Sequence, residues 1–268
     1  MTAKRPLIAL LTDFGTKDFF VASLKGVILS INPDVRIEDI GHEVPPFDIG
    51  AGAFILSACA PVFPAGTIFV AVVDPGVGSG RRILCARTER HYFIAPDNGL
   101  LGPVLERERA LELREVANPD FRLAAVSPTF EGRDKMAPAA AWISLGVAPA
   151  SLGPRLADYR KLPVKGPVFG PAGIRGVVLY ADRFGNLITN IPAASALKLA
   201  GAKRGGRLRL RAAGRVLARR DAYASASEDE VFFLEGSLGL IEISAREDSA
   251  ARKLGIGPGA PVRITAGP

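Results

Sequence analysis

Two aspartates of this sequence each stand directly after a run of apolar residues. Asp13 follows LIALLT and Asp74 follows FVAVV, and a glycine comes two residues after each of them. Ligands of open α/β sheets bind beyond the carboxyl ends of the strands, where a carboxylate can accept hydrogen bonds from a ribose diol or pair with a cation. The two aspartates therefore favour a ligand-binding site at the strand ends. For Asp13 the alternative is capping of the next helix, because aspartate is a favoured N-cap residue.

The loop after Asp74 reads DPGVGSGRR and ends in two arginines, Arg81 and Arg82. Its glycines resemble those of a phosphate-binding loop, but the Gly-Lys-Ser/Thr that completes such a loop is missing. The triplet at residues 13–15, Asp-Phe-Gly, matches the metal-binding triplet of protein kinases, yet the other kinase motifs do not accompany it. Neither match predicts a phosphate or metal site.

Three further motifs place polar residues at turns or helix ends. APDNGLL (95–101) is typical of a turn, and TFEGRD (129–134) places charges before a helix, where they are commonly structural. DRFGNLITN (182–190) places Phe184 and Asn186 around a glycine. A phenyl ring can stack on a base and an amide can bond a purine edge, so this motif is compatible with a structural or a binding role.

Composition indicates a globular protein: 48% of the 268 residues are hydrophobic, 23% are charged, and the net charge is +7. The densest basic run, residues 203–220, alternates basic and apolar residues, which favours a solvated strand face over nucleic-acid binding. We therefore expect no nucleic-acid partner, although a salt-dependent shift with RNA or DNA would revive that alternative. Cys59 and Cys85 are predicted to be buried free thiols. His42 and His91 are too isolated to predict a metal site.

The start of the chain lacks a signal-peptide pattern, and its apolar runs are too short to span a bilayer. We expect a soluble cytoplasmic protein that does not bind membranes.

Apolar periodicity predicts an α/β architecture. Strands are predicted at 7–11, 35–40, 67–74, 82–89 and 91–98, and helices at 18–31, 49–60 and 137–145. Because the strands are apolar on both faces, we expect a mainly parallel sheet with helices on both faces. Beyond residue 155, short β-rich runs predict a smaller all-β domain with no long helix besides a turn or two at 249–254. The predicted boundaries are an N-terminal α/β domain (1–160), a linker (161–172) and a C-terminal β domain (173–268).

Seven motifs occur in one order along nearly the whole chain: LTDFG, INP, VVDPGVG, APDNGLL, TFEGRD, DRFGNLITNI and GSLGLIEI. In this order they resemble the S-adenosyl-L-methionine (SAM) hydrolases that form adenosine, also called SAM hydroxide adenosyltransferases, which are related to fluorinase and chlorinase. The resemblance implies an N-terminal α/β domain and a C-terminal barrel-like domain. It also implies a homotrimer that holds the ligand between one subunit's N-terminal domain and its neighbour's C-terminal domain, with SAM as substrate and no cofactor or metal.

The resemblance also implies roles for individual residues. The catalytic residues would be Asp74, Arg81 and Glu131, with Asp74 at the reacting end of the substrate, and Asp13 would bind the ribose hydroxyls. The remaining substrate contacts would come from five residues nearer the C-terminus: Phe184, Asn186, Ser237, Glu242 and the backbone of Ala245. The first two of these would contact the nucleoside or methionine portion, and the other three would face the adenine.

Displacement at ribose C5′ needs no general acid, because the sulfonium is already a good leaving group. Water is a very weak acid, so it must be oriented and helped to lose a proton. The family does this with an Asp–Arg–His trio, but Glu131 stands where its histidine is expected. Glu131 can act as a base if burial and Asp74 raise its pKa. Alternatively it pairs with Arg81 and leaves Asp74 to orient the water, or the site binds its ligand without turnover.

Two function classes therefore follow from the sequence: slow hydrolysis of SAM to adenosine and methionine, and non-catalytic binding of adenosine or SAM. A carboxylate at residue 131 favours the cationic sulfonium of the ground state, which should slow displacement. We therefore expect Glu131→His to accelerate hydrolysis. The same negative charge disfavours halide as the nucleophile.

Overall fold

The computed structural model describes residues 5–125, 127–163, 166–201 and 207–267. Its backbone contacts divide the chain into two compact units, Met1–Leu162 and Pro163–Pro268. Residues 203–206 of the basic run and residues 164–165 of the predicted linker lie outside the described residues.

In the described part of the first unit, six strands form one sheet. They are β1 (Leu7–Thr12), β2 (Arg36–Gly41), β3 (Ile68–Val72), β4 (Ile83–Arg87), β5 (Tyr92–Pro96) and β6 (Glu112–Glu115). Their order is β2-β1-β3-β5-β4-β6, and the first four are mutually parallel. β4 runs antiparallel to β5 and to β6, because the four residues 88–91 between β4 and β5 are too few for a parallel crossover. β6 was not predicted.

Helices cover both faces of this sheet, which confirms the predicted fold class. They are α1 (Phe20–Ile31), α2 (Ile49–Cys59), α3 (Gly102–Glu108) and α4 (Ala137–Ser144). Leu10 of β1 packs in one core cluster with Leu24 of α1 and Ala140 of α4. Leu11, the next residue of the strand, is buried as well. Because successive side chains of a strand point to opposite faces, Leu11 is covered from the other side.

The second unit is a closed, barrel-like sheet, as predicted. Its strands are β7 (Val168–Gly170), β8 (Gly173–Ala181), β9 (Leu187–Pro192), β10 (Arg207–Ala212), β11 (Arg215–Arg219), β12 (Val231–Glu235), β13 (Leu240–Ala245) and β14 (Pro261–Gly267). β14 pairs with both β10 and β8, which closes seven of the strands into a ring. β7 adds to β8 at the outside.

Two helices accompany the described barrel strands, α5 (Ala193–Gly201) and α6 (Ala250–Leu254). α6 matches the short turn predicted at 249–254. α5, a helix of nine residues, was not predicted. Ala193 and Ala196 of α5 pack into the core of the barrel, so the small residues that weakened the helical pattern are the ones that allow close packing.

The cysteines are both free thiols, as predicted. Cys85 is fully buried in β4, and burial raises the pKa of its thiol to about 12. Cys59 lies at the end of α2 and is only half-buried, so its predicted full burial is wrong.

Candidate active site

Asp13 lies just beyond the carboxyl end of β1, where its Oδ2 atom accepts the backbone N–H of Phe47 at 2.9 Å. The carboxylate does not cap α1, because that helix begins at Phe20 and its N-cap residue Phe19 makes no side-chain cap hydrogen bond. The capping alternative is therefore wrong. The half-buried carboxylate retains further acceptor capacity at the edge of the sheet.

Phe47 is a candidate contact for a flat ligand that sequence reasoning missed. Its backbone has a φ of +67°, a left-handed conformation that bulky residues rarely adopt. Its ring is 70% exposed although its N–H is held by Asp13. Backbone strain of this kind clusters at ligand sites. The local sequence EVPPFD carries no signal of a positive φ at the phenylalanine, so only the structure reveals it.

Asp74 stands at the same edge of the sheet, because β1 and β3 are parallel neighbours paired from Ile8 with Ile68 to Thr12 with Val72. The Nε atom of Arg81 lies 2.7 Å from each carboxylate oxygen of Asp74, and Nη2 also donates to Oδ2. Both side chains are more than nine-tenths buried. Burial lowers the pKa of Arg81, but the hydrogen bonds and charge of Asp74 outweigh it, and the net shift is upward.

Glu131 joins this pair from a separate element. A turn of π-helix at Gly132–Met136 follows it directly and leads into α4. Glu131 Oε2 lies 2.7 Å from Arg81 Nη2, an ion-pair contact outside hydrogen-bonding angles, and Lys135 donates to Oε1. The structure thus brings the three predicted catalytic residues together and adds Lys135, which sequence reasoning did not single out. Lysine four residues after glutamate is its only sequence signal.

The charge of Glu131 distinguishes among its possible roles. Burial raises the pKa of Glu131, but the hydrogen bond from Lys135 and the charge of Arg81 outweigh burial and hold that pKa below its usual range. An effective base needs a pKa near the working pH. The raised pKa on which the alternative of Glu131 as a base depends is therefore absent, and Glu131 is an anion clamped between two cations.

One hydrogen-bond donor of this cluster is unused. Arg81 Nη1 is buried and has no hydrogen-bond partner among the residues that the structure describes. Buried donors are nearly always satisfied, and an exception in a protein calls for an explanation. A ligand atom or a water molecule bound at this cluster would satisfy it.

The loop that carries Arg81 is anchored by close packing. Gly78 has a φ of +78°, and a Cβ atom there would lie 2.7 Å from the carbonyl oxygen of Pro128. The neighbouring Arg82 is engaged elsewhere, since its Nη2 lies 2.6 Å from Asp97 and 2.9 Å from Asp158. Of the two arginines, only Arg81 belongs to the candidate site.

A cavity of about 910 Å³ lies in the second unit. Its lining includes all five residues for which substrate contacts are predicted there: Phe184, Asn186, Ser237, Glu242 and Ala245. The ring of Phe184 is 77% exposed, and the polar groups of the lining come from strand ends and turns. The structure therefore gathers these five residues at one place, although four strands, β9 to β12, lie between Asn186 and Ser237 along the chain.

The loop DRFGN at the cavity is organised by Asp182. Its carboxylate accepts the backbone N–H groups of Phe184 and Asn186 at 2.9 and 2.8 Å, and the side-chain amide of Asn186 at 2.9 Å. Gly185 has a φ of +83°, and a Cβ atom there would meet Ser249 at 2.0 Å. The amide N–H₂ group of Asn186 is thus partly committed to the fold of the loop.

Glu242 is buried and bonded within the cavity wall. Its Oε1 atom accepts the hydroxyl of Tyr223 at 2.5 Å and that of Ser244 at 2.9 Å. Burial, followed by the hydrogen bond to Glu242, raises the pKa of Tyr223 to about 12. Tyr223 also lines the cavity and was missed by sequence reasoning.

The histidines lie in structural pairs. His42 Nε2 lies 3.1 Å from Asp39, and His91 Nδ1 lies 2.9 Å from Glu108. Across the described residues, no three His, Cys, Asp or Glu side chains converge in an arrangement that could hold a metal ion. Each helix in the described ranges is too short or too polar to cross a lipid bilayer.

Known proteins of one family match both units of this chain. The family model described as SAM hydroxide adenosyltransferase N-terminal domain matches residues 8–153, and the corresponding C-terminal domain model matches residues 176–263. The (R)-S-adenosyl-L-methionine hydrolase of Salinispora arenicola is 36% identical over 271 residues, which cover 99% of this chain and 100% of that protein. The fluorinase of an Actinoplanes species is 32% identical over 213 residues, which cover 69% of this chain and 72% of that protein.

A solved structure shows the same fold. The crystal structure of an uncharacterized conserved protein from Thermotoga maritima has a TM-score of 0.90 and 35% sequence identity, and the match covers 96% of this chain and 99% of that chain. With both family models matched in order and a relative aligned from end to end, the chain belongs to the SAM hydroxide adenosyltransferase family.

Proposed function

We propose that this protein hydrolyses SAM to adenosine and L-methionine by attack of water at ribose C5′. Family membership over both units and the hydrolase that is 36% identical along 99% of the chain support this reaction. The observation that carries it at the site is the buried, unpartnered Nη1 donor of the Arg81 guanidinium, whose Nε and Nη2 atoms are held by Asp74. A guanidinium fixed in this way can orient one water molecule through its free donor.

In the proposed mechanism, Arg81 Nη1 donates a hydrogen bond to the water oxygen, and Asp74 accepts a hydrogen bond from the water and so orients it towards C5′. The C5′–O bond forms as the C5′–S bond breaks, and the electron pair of that bond stays on sulfur. The products are adenosine and methionine with a neutral thioether, and the proton of the water passes to solvent. Atoms and charge balance, because the positive charge of the sulfonium leaves as the proton.

Glu131 in this scheme positions Arg81 and does not itself deprotonate the water. The four groups Asp74, Arg81, Glu131 and Lys135 alternate in sign, and their formal charges sum to zero. The site therefore lacks the net negative charge that an isolated carboxylate at residue 131 would bring. Ground-state stabilisation of the sulfonium is correspondingly small.

The remaining contacts follow from the family. Asp13 accepts hydrogen bonds from the ribose hydroxyls. The rest of the substrate contacts five residues of the larger cavity: Phe184, Asn186, Ser237, Glu242 and the backbone of Ala245. We further propose a homotrimer that works in the cytoplasm, in which the ligand lies between the first unit of one subunit and the second unit of its neighbour. Two free thiols fit a reducing compartment.

The reaction is tested by incubating the pure protein with each sulfonium epimer of SAM in water enriched in oxygen-18. We expect adenosine and methionine in equal amounts, with one oxygen-18 atom at the 5′ position of adenosine. Asp74→Asn should abolish turnover, while Asp158→Asn, which removes an exposed partner of Arg82, should not. Adenosine formation no faster than in the absence of protein would refute the proposal.

A second candidate, non-catalytic binding of adenosine or SAM, is favoured by one observation. The clamped, ionised Glu131 is not poised to act as a base, so the site can hold a ligand without activating water. Calorimetry that detects tight binding of SAM, combined with recovery of all the SAM unchanged, would select this candidate.

A further inference from the structure

Arginines face one another across three neighbouring strands of the second unit. In the antiparallel pairing of β10 with β14, Arg211 stands opposite Arg263, and in the pairing of β14 with β8, Arg263 stands opposite Arg175. All three are exposed. Residues directly opposite in a sheet have Cβ atoms about 4.5–5.5 Å apart, and like charges in such pairs repel. The three side chains thus form a row that is unfavourable in isolation.

Carboxylates do not offset this charge. The adjacent strands β8, β14, β10 and β11 contain seven arginines and no aspartate or glutamate. The seven are Arg175, Arg207, Arg209, Arg211, Arg215, Arg219 and Arg263. Among the described residues, only Arg219 has a carboxylate within ion-pair distance, that of Asp221 at 3.4 Å. A solvated strand face would ordinarily mix both signs.

The row lines a concave site, which we call the arginine cavity. Its volume is about 390 Å³, and apart from Arg175, Arg211 and Arg263 its lining consists of aliphatic residues, proline and glycine. Arg263 is held in place because its Nη2 atom donates to the carbonyl oxygen of Ala172 at 2.8 Å. The arginine cavity shares no lining residue with the larger cavity that contains Phe184.

We propose that the arginine cavity binds a compact polyphosphate, either a free inorganic oligophosphate or the phosphate tail of a nucleotide. The planar guanidinium presents a fork of N–H donors that matches phosphate oxygens in pairs. Three neighbouring cations match an anion that carries several negative charges within a few ångströms. A concavity of this size suits a compact anion better than an extended polymer. The proposal does not depend on the hydrolysis of SAM.

The test is isothermal titration calorimetry of the full chain with inorganic tripolyphosphate and, separately, with guanosine triphosphate. We expect binding of tripolyphosphate that weakens at least tenfold in Arg263→Gln and less than twofold in the matched control Arg219→Gln. Affinity should also fall as salt rises. Equal affinity for the two probes identifies the phosphate chain as the whole determinant, and tighter binding of the nucleotide adds a base contact.

Several results would overturn the proposal. They are a lack of tripolyphosphate binding, an equal loss of affinity in Arg219→Gln, and binding of single-stranded RNA without binding of tripolyphosphate. Circular dichroism checks that each variant folds. If Arg263→Gln does not fold, because the hydrogen bond to Ala172 is lost, Arg175→Gln and Arg211→Gln carry the same expectation, as neither has a carboxylate partner among the described residues.

Discussion

Lys135 and Glu131 lie one helical turn apart and form an ion pair at the end of a row of alternating charges. The row continues through Arg81 to Asp74 at the carboxyl end of β3. The Glu131 side chain is 7% exposed and that of Lys135 is 24% exposed, so the pair lies at the border between the buried cluster and solvent. Lys135 thereby helps to keep Glu131, which contacts Arg81, in its ionised form.

Replacing Lys135 by methionine should raise the pKa of Glu131. Burial alone raises this pKa, and the hydrogen bond from Lys135 is the largest contribution that lowers it. Carbon-13 NMR of the Glu131 carboxyl group, assigned with Glu131→Gln, should show titration at a higher pH in Lys135→Met than in wild type. Lys161→Met, which removes an exposed partner of Glu106, is the matched control and should leave the titration unchanged. An unchanged titration in Lys135→Met would contradict this role.

The contacts of Glu131 reverse the expectation from the sequence that Glu131→His accelerates hydrolysis. An imidazole at this place would lie between Arg81 and Lys135, two cations that the carboxylate now separates. We expect the single variant to be slower than wild type by about tenfold, equivalent to about 1.4 kcal/mol. Adding Lys135→Met removes one cation, so the double variant should be faster than the single one. Steady-state kcat/KM of the three proteins measures this, and a single variant faster than wild type would count against the clamp.

Glu131 should make the free energy of unfolding depend on pH. Because its pKa is lowered in the fold, its contribution is complete above the unfolded pKa of about 4.3 and is lost as pH falls through the folded value. Glu131→Gln should therefore be less stable than wild type by about 2 kcal/mol at pH 7, since Lys135 loses its charged partner and Arg81 keeps only Asp74. The difference should shrink at pH 3. Urea unfolding at both pH values tests this, and a constant difference would contradict it.

Tyr223 should give the opposite dependence at alkaline pH. Its pKa is raised to about 12 in the fold, so its contribution is complete below its unfolded pKa of about 10 and is lost as pH rises towards 12. Tyr223→Phe should cost about 1 kcal/mol at neutral pH, because Glu242 loses one donor. Ultraviolet titration of tyrosinate should show a group that titrates near pH 12 in wild type and in the control Tyr159→Phe but not in Tyr223→Phe. Retention of that group in Tyr223→Phe would refute the assignment.

Much of the first unit could be predicted from local patterns. Helical spacing and the proline at residue 33 mark α1, and apolar runs place Asp13 and Asp74 at strand ends. The antiparallel direction of β4 was not predicted, because it follows from the length of one short connection and not from the strand itself. α5 was missed since its small residues carry little periodic signal until they meet the barrel core.

The sequence by itself determined the family, the order of most elements and which residues stand at the strand ends, because motif order and apolar periodicity are properties of the chain alone. Only the tertiary structure decided that Glu131 is ionised, since its pKa depends on burial, on the hydrogen bond from Lys135 and on the charge of Arg81, which a different loop delivers. Only the tertiary structure aligned Arg211 with Arg263 and Arg175, because strand register brings together residues that are distant in the chain. Electrostatic energies depend on distance and burial, and neither quantity can be read from sequence spacing.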